Sequence, residues 1–294
     1  MIQITNCPVC GHAQNQSYLV CKDYTVSQES FSIHACCSCG FKFTNPIPGT
    51  DKLGGYYQSE DYISHSDTDK GVVSKLYKLV RSYTIGAKVK SINKLVSRGT
   101  ILDYGCGTGA FLSACAADGW KTFGVEPDSG ARNLAAKKMP NVFASKEELL
   151  GAHAGQKFDA ISLWHVLEHV VDLNNTLELL SRALSQNGAL IIALPNYRSY
   201  DAKYYREYWA AYDVPRHLYH FDKESISRLL MKHGFELKEV KPMLFDSFYV
   251  SLLSEKYKNG KGNLIKAFSI GLISNLSALF SKEHSSKVYV FKRA

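Results

Sequence analysis

An α/β fold built on a parallel sheet is what this sequence predicts, and three observations lead there. Strand patterns near residues 100–104, 121–126, 141–144, 158–163 and 188–194 alternate with helical patterns, an order that buries a parallel sheet between two helical layers. The stretch ILDYGCGTG at 101–109 reads as a strand running into a glycine-rich turn, with a helix pattern directly behind it. At 294 residues and 45% hydrophobic side chains, the chain has room for one large domain and a small appendage.

The appendage comes first, at residues 1–45. CPVCG at 7–11 and CCSCG at 36–40 are two Cys-x-x-Cys-Gly hairpins, and four thiolates at this spacing make a tetrahedral zinc site. The expected ligands are Cys7, Cys10, Cys36 and Cys39, with the zinc structural because no coordination position is left for a substrate. Residues 46–70, rich in proline, glycine and polar side chains around Tyr56, Tyr57 and Tyr62, read as a linker and lid.

The large domain is expected over 71–294. Val72, Leu76, Leu79, Val80 and Tyr83, then Ile92, Leu95 and Val96, form a stripe for one or two helices ahead of the first strand. Ile101 and Leu102 suit a buried strand, Phe111, Leu112 and Cys115 suit the helix behind the turn, and Gly119 ends it. KTFGVEP carries the second strand, with Glu126 at its end. Ser145 with Glu148 predicts a capping box, and Asp172 ahead of Leu173, Leu177, Leu180 and Leu184 predicts another helix start. FELKEVKPM at 235–243 and KVYVFKR at 287–293 supply two late strands around an insertion at 245–285. The apolar part of that insertion, 264–280, is interrupted by a lysine, serines and an asparagine. It is expected as substrate cover or a homodimer surface rather than a membrane span, with peripheral membrane contact left open.

The chemistry centres on the glycine turn. Gly105, Gly107 and Gly109 let the backbone approach a ligand, but Gly105, Gly107 and Ala110 also fit the dinucleotide fingerprint, so a nicotinamide or flavin enzyme is a rival. Asp103 favours a cofactor with a cationic amino group and no phosphate, which describes S-adenosylmethionine. Glu126, 23 residues further on, is placed to accept both ribose hydroxyls.

These motifs resemble the class I S-adenosylmethionine-dependent methyltransferases, and KFDAISLWHVLEHV at 157–170 and GALIIALPN at 188–196 are similar to that family's fourth and fifth strands. The resemblance covers roughly 71–294. It implies a Rossmann-like seven-stranded methyltransferase sheet, mostly parallel with the last strand antiparallel, and cofactor contacts from Asp103, Gly105, Cys106, Gly107, Gly109, Glu126, Pro127, Leu163, Trp164 and His165. Where the family often has an acid for the adenine this chain has Ala144 and Ser145, so backbone groups are expected to serve. The cysteine module resembles the amino-terminal zinc module of deoxysugar C-methyltransferases, and the core is also similar to ubiquinone-biosynthesis methyltransferases. WAAYDVPRHLYHF at 209–221 resembles a Glu-His-aromatic segment of the C-methyltransferases, which makes His217 the expected catalytic base. Arg216 stands where their glutamate would be and points to an anionic group on the acceptor. Trp164, Tyr56, Tyr57 and Tyr104 are aromatic candidates for facing the sulfonium, although core packing is the commoner role of such residues.

The expected reaction is in-line methyl transfer to a small-molecule or glycan acceptor, including a lipid-linked one. The alternatives are an RNA-modifying methyltransferase that uses the ribbon on nucleic acid, and a catalytically idle S-adenosylmethionine-binding scaffold. The net charge of +8 is spread rather than concentrated, and the ribbon lacks a basic and aromatic run, which weighs against nucleic acid. Eight cysteines without a secretion signal predict metal or free thiols and a cytoplasmic location.

Overall fold

The computed structural model describes residues 1–57 and 72–294. Tyr62 lies outside the described residues, as do the side chains of Val72, Leu76 and Leu79. Three antiparallel strands open the chain, β1 (Asn15–Lys22), β2 (Ser30–Cys36) and β3 (Lys42–Thr44), followed by a single helical turn at Thr50–Leu53. The long helix α1 (Val72–Asn93) leads into the sheet proper. There β4 (Thr100–Tyr104), α2 (Ala110–Ala117), β5 (Lys121–Val125), α3 (Ser129–Ala136), β6 (Val142–Phe143), α4 (Lys146–Ala152), β7 (Phe158–Trp164), α5 (Leu173–Ala183) and β8 (Leu184–Pro195) alternate. After α6 (Tyr200–Tyr205) and the short β9 (Tyr219–His220) come α7 (Lys223–Lys232), β10 (Phe235–Pro242), α8 (Asp246–Asn259), α9 (Leu264–Ser281) and β11 (Ser286–Arg293).

Seven strands form one sheet in the order β10-β11-β8-β7-β4-β5-β6. Strand β11 runs antiparallel to both neighbours, and every other pairing along β8-β7-β4-β5-β6 is parallel. Ile101, Leu102, Ile161, Leu163, Leu190 and Ile192 are buried in its central strands, as residues with helices on both faces must be. The carboxyl ends of β4, β5, β7 and β8 therefore share one edge, where ligands of open α/β sheets bind.

Three local expectations change. Leu184 begins β8, opposite Phe158 of β7, instead of closing the preceding helix. Ser145 accepts the Glu148 N–H at 3.2 Å, but Glu148 returns its bond to the Ala144 N–H at 2.7 Å, one residue before the expected cap. Asp172 makes no capping bond to α5 and holds the Asn175 amide at 2.9 Å. The reciprocal capping box lies at Asp222 and Ser225, ahead of α7.

The amino-terminal strands do not form a sheet of their own. Their order is β1-β2-β3-β9, with Lys42 and Phe43 paired to His220 and Tyr219. Val9, Phe41 and Phe43 pack in one cluster with Leu218, Phe221 and Leu163, so this small module shares the core of the large sheet. Helices α8 and α9 pack as a pair held down by buried Asp201, which accepts from Ser274, Ser285 and Trp209. Among the described residues α9 is the one helix long and apolar enough to cross a membrane, with a mean hydropathy of 1.5. It buries small residues such as Ala267, Gly271, Ser274 and Ala278, and exposes Ile265, Phe268, Leu279 and Phe280.

Candidate active site

The glycine turn leaves β4 with Gly105 at φ +79° and Gly107 at φ +54°. A Cβ on Gly105 would lie 2.4 Å from a Val166 methyl carbon, so the turn and the loop after β7 are packed against each other. A Cβ on Gly107 would meet nothing within 4 Å, which leaves its outer face open to a ligand. Glu126 reaches over from the end of β5, where Oε2 accepts the Gly107 N–H at 2.8 Å and Oε1 the Asp128 N–H at 2.9 Å. Burial pushes its carboxyl above the usual range, and these two N–H groups oppose the shift.

Asp103 is 2% exposed, and its Oδ1 accepts from Ser162 Oγ at 2.6 Å. Burial raises its pKa to about 7, with Glu126 adding to the shift and the Ser162 hydroxyl and Lys88 opposing it. Lys88, on α1, sets its ammonium 4.0 Å from the centre of the Trp164 ring, near Asp103 and Asp246. Burial lowers its pKa. Of the other expected contacts, Cys106 lies in the turn with its side chain buried and its sulfur packed against Gly124. Leu163 is likewise buried, Gly109 starts α2, and the Pro127 carbonyl accepts from Arg132.

The loop after β7 brings a second group to the same edge. His165 sits at φ +57°, an uncommon conformation for a non-glycine residue. Its Nε2 is 3.1 Å from Asp246 Oδ2 and its Nδ1 3.5 Å from Glu168 Oε1. Burial opposes its charge, but the two carboxylates outweigh burial and raise its pKa to about 9. Glu168 is 1% exposed, with His217 Nε2 4.0 Å from Oε1. The His169 and His217 rings meet edge to face at 4.5 Å, and Tyr57 Oη is 3.1 Å from His169 Nδ1. Burial first, then the charge on His217, pushes the pKa of His169 down to about 4.

His217 is held from the amino-terminal module. Thr44 Oγ1 donates to the His217 carbonyl at 2.7 Å, the Thr44 N–H donates to Leu218, and the Leu218 N–H donates to Glu168. Arg216 does not face an acceptor as expected. It is 1% exposed, lies 2.6 Å from Asp213 and 3.0 Å from Asp23, and donates to the Tyr56 carbonyl, so its charge is already spent on structure. Tyr56 donates to Glu29 at 2.8 Å, and Tyr104 packs, partly buried, against the core cluster.

Lys88 and Asp246 were not legible as site residues, since each comes from an element with no motif of its own, and Ser162 and Asp213 lie within the segments 157–170 and 209–221 without having been singled out there. For Ser162 the strand alternation was a usable signal, because it occupies the β7 position paired with Asp103. In the module, Cys7 and Cys39 bring their sulfurs to 3.6 Å and Cys10 and Cys36 to 3.5 Å. The four form a cluster able to hold a metal ion.

A seven-stranded sheet with one antiparallel strand, an acid-flanked glycine turn and a carboxylate at the end of the next strand define a class I S-adenosylmethionine-dependent methyltransferase domain. The chain belongs to the methyltransferase domain family whose model matches residues 79–240. A ubiquinone biosynthesis O-methyltransferase of Azorhizobium caulinodans is 28% identical over 159 residues, 50% of this chain and 62% of that protein. The mitochondrial ubiquinone biosynthesis O-methyltransferase of Homo sapiens is 27% identical over 164 residues, 50% of this chain and 44% of that protein. The matched stretches thus span less than two thirds of either relative. The magnesium protoporphyrin IX methyltransferase of Synechocystis PCC 6803 with bound SAH shares the fold, with a TM-score of 0.52 at 14% identity over 84% of this chain and 100% of that one.

Proposed function

We propose that this protein transfers a methyl group from S-adenosylmethionine to a small-molecule acceptor held beside Glu168, His169 and His217. The observation that carries the reading is the pair of acids at successive strand ends, Asp103 and Glu126, around a turn whose Gly107 face is open. When bound, S-adenosylmethionine supplies a methyl group on a sulfonium centre, open to in-line attack. Asp103 meets its ammonium, Lys88 its carboxylate and Glu126 its ribose hydroxyls. Gly105, Cys106, Gly107 and Gly109 form the turn beneath it, and Pro127, Leu163, Trp164 and His165 border it. His217 activates the acceptor's nucleophile. The acceptor class extends to glycans and lipid-linked intermediates, and the relatives named for ubiquinone biosynthesis support small molecules generally.

For the module at residues 1–45 we propose one structural zinc ion on Cys7, Cys10, Cys36 and Cys39. Four thiols converging at 3.5 and 3.6 Å fit a closed tetrahedral site that has no position for substrate. The ribbon then braces the acceptor side of the 71–294 domain through the β3–β9 pairing. Incubation of the purified protein with methyl-labelled S-adenosylmethionine and a small-molecule extract tests the reading. Label is expected in a small molecule and lost in Asp103→Ala; label in RNA, or in nothing, would sink it.

A further inference from the structure

Residues 256–282 carry five lysines and no acidic residue. The acids on either side are engaged inward: Glu255 is buried and lies 3.2 Å from Lys266, and Glu283 is bonded to Lys287 and Asn196. Within this basic stretch α9 turns Ile265, Phe268, Leu272, Leu276 and Leu279 outward at steps of three and four residues, with Phe280 beside the last. Ile265 is 82% exposed and Phe280 91%. Exposed Leu244 and Phe245, just ahead of α8, widen the surface, and Asn275 on α9 holds the Leu244 carbonyl at 2.9 Å. A single exposed apolar side chain is ordinary, but a continuous stripe along an 18-residue helix marks a docking surface.

The inner face of α9 fixes how it can dock. A Cβ on Gly271 would lie 2.8 Å from the Phe248 ring, so α8 and α9 are in close contact there. Ser274 donates to buried Asp201 at 2.6 Å. A helix crossing a bilayer would have to give up these contacts and carry Ser274 and Asn275 into hydrocarbon, whereas a helix lying flat keeps them all. The charges choose between a lipid surface and a second copy. Lys258 and Lys261 stand at one end of α9 and Lys282 at the other. Pairing α9 with its copy in either direction sets lysines against lysines, with no acid between 256 and 282 to answer them. Phosphate headgroups answer all of them at once.

We propose that the outer face of α9, with Leu244 and Phe245, seats the protein flat on an anionic lipid bilayer. The apolar stripe enters the boundary between headgroups and acyl chains, and Lys258, Lys261 and Lys282 meet lipid phosphates around it. Helix α9 is about 27 Å long at 1.5 Å per residue, so the contact is broad enough to hold one orientation. In that orientation α8, whose Asp246 lies 3.1 Å from His165, rests close to the lipid surface.

Cosedimentation of the full chain with vesicles of phosphatidylcholine and phosphatidylglycerol, against vesicles of phosphatidylcholine alone, tests the surface. Binding is expected to the anionic vesicles and to weaken with salt. Ile265→Ser combined with Phe280→Ser should weaken it at least ~10-fold, a minimum set by burial of one large apolar side chain. Lys258→Gln combined with Lys261→Gln should weaken it about 5-fold per lysine. All four residues are exposed, so thermal unfolding should stay as in the wild type. No binding of the wild type to anionic vesicles, or equal binding by the Ile265→Ser, Phe280→Ser variant, would overturn the proposal. Equal binding to phosphatidylcholine alone would overturn the anionic assignment, and a dimer without vesicle binding, dissociated by the same two serines, would give the face to a second copy. Vesicle binding is read without cofactor or acceptor, so its failure leaves the methyl-transfer reading untouched.

Discussion

Asp103, the proposed partner of the cofactor's ammonium, should tie its own ionisation to cofactor binding. Its folded pKa of about 7 stands above the ordinary 3.8, mainly through burial. The folded chain therefore keeps a proton that the unfolded chain has released, and without cofactor its stability falls as pH rises from about 4 through about 7. A cationic amino group favours the carboxylate, so binding of S-adenosylmethionine should release a proton below about pH 7 and weaken by up to ~10-fold per pH unit there. Calorimetry in buffers of different ionisation enthalpy measures that proton; Asp103→Asn should bind weakly and without the pH dependence, and a flat profile in the wild type would remove the assignment. Asp103 and Glu126 were legible in the sequence because each follows an apolar strand run at a fixed offset from a glycine. Lys88 and Asp246 were not, because each reaches the site from a helix with no motif of its own, and only packing brings them there.

The strand-turn-helix at 100–117 is the element most fully specified by local sequence. Its conformation needs glycine at 105, where φ is +79° and a Cβ would press on Val166 at 2.4 Å. Gly105→Ala should cost about 1–3 kcal/mol of stability in thermal or denaturant unfolding, from backbone strain and the clash together, and should weaken the cofactor. Unchanged unfolding would show that the turn relaxes freely. The strands of the sheet were readable from their apolar runs, but the start of β8 at Leu184 was not, since a leucine at helical spacing satisfies a helix and a buried strand equally. The pairing with Phe158 decides it.

At the scale of the whole molecule, the amino-terminal module and the segment carrying His217 are one structure. The cysteine spacing was legible, whereas its union with the rest was not, because β9 is only two residues long and carries no strand pattern. Metal analysis should find one zinc per chain held by the cysteines. Its removal by chelation should loosen β3 from β9 and abolish turnover through His217, with affinity for S-adenosylmethionine changed by less than about 3-fold, since Asp103 and Glu126 stand on the other sheet. Cofactor binding lost in parallel with zinc would contradict that division. The central claim, that the glycine turn is an S-adenosylmethionine site, is tested most directly by calorimetric titration of the purified protein with S-adenosylmethionine and with NAD. One S-adenosylmethionine per chain, at least ~10-fold weaker in Asp103→Ala, with no heat from NAD, is the predicted result, a lost buried charge pair being worth well over that factor. Tight NAD binding without S-adenosylmethionine binding would contradict it.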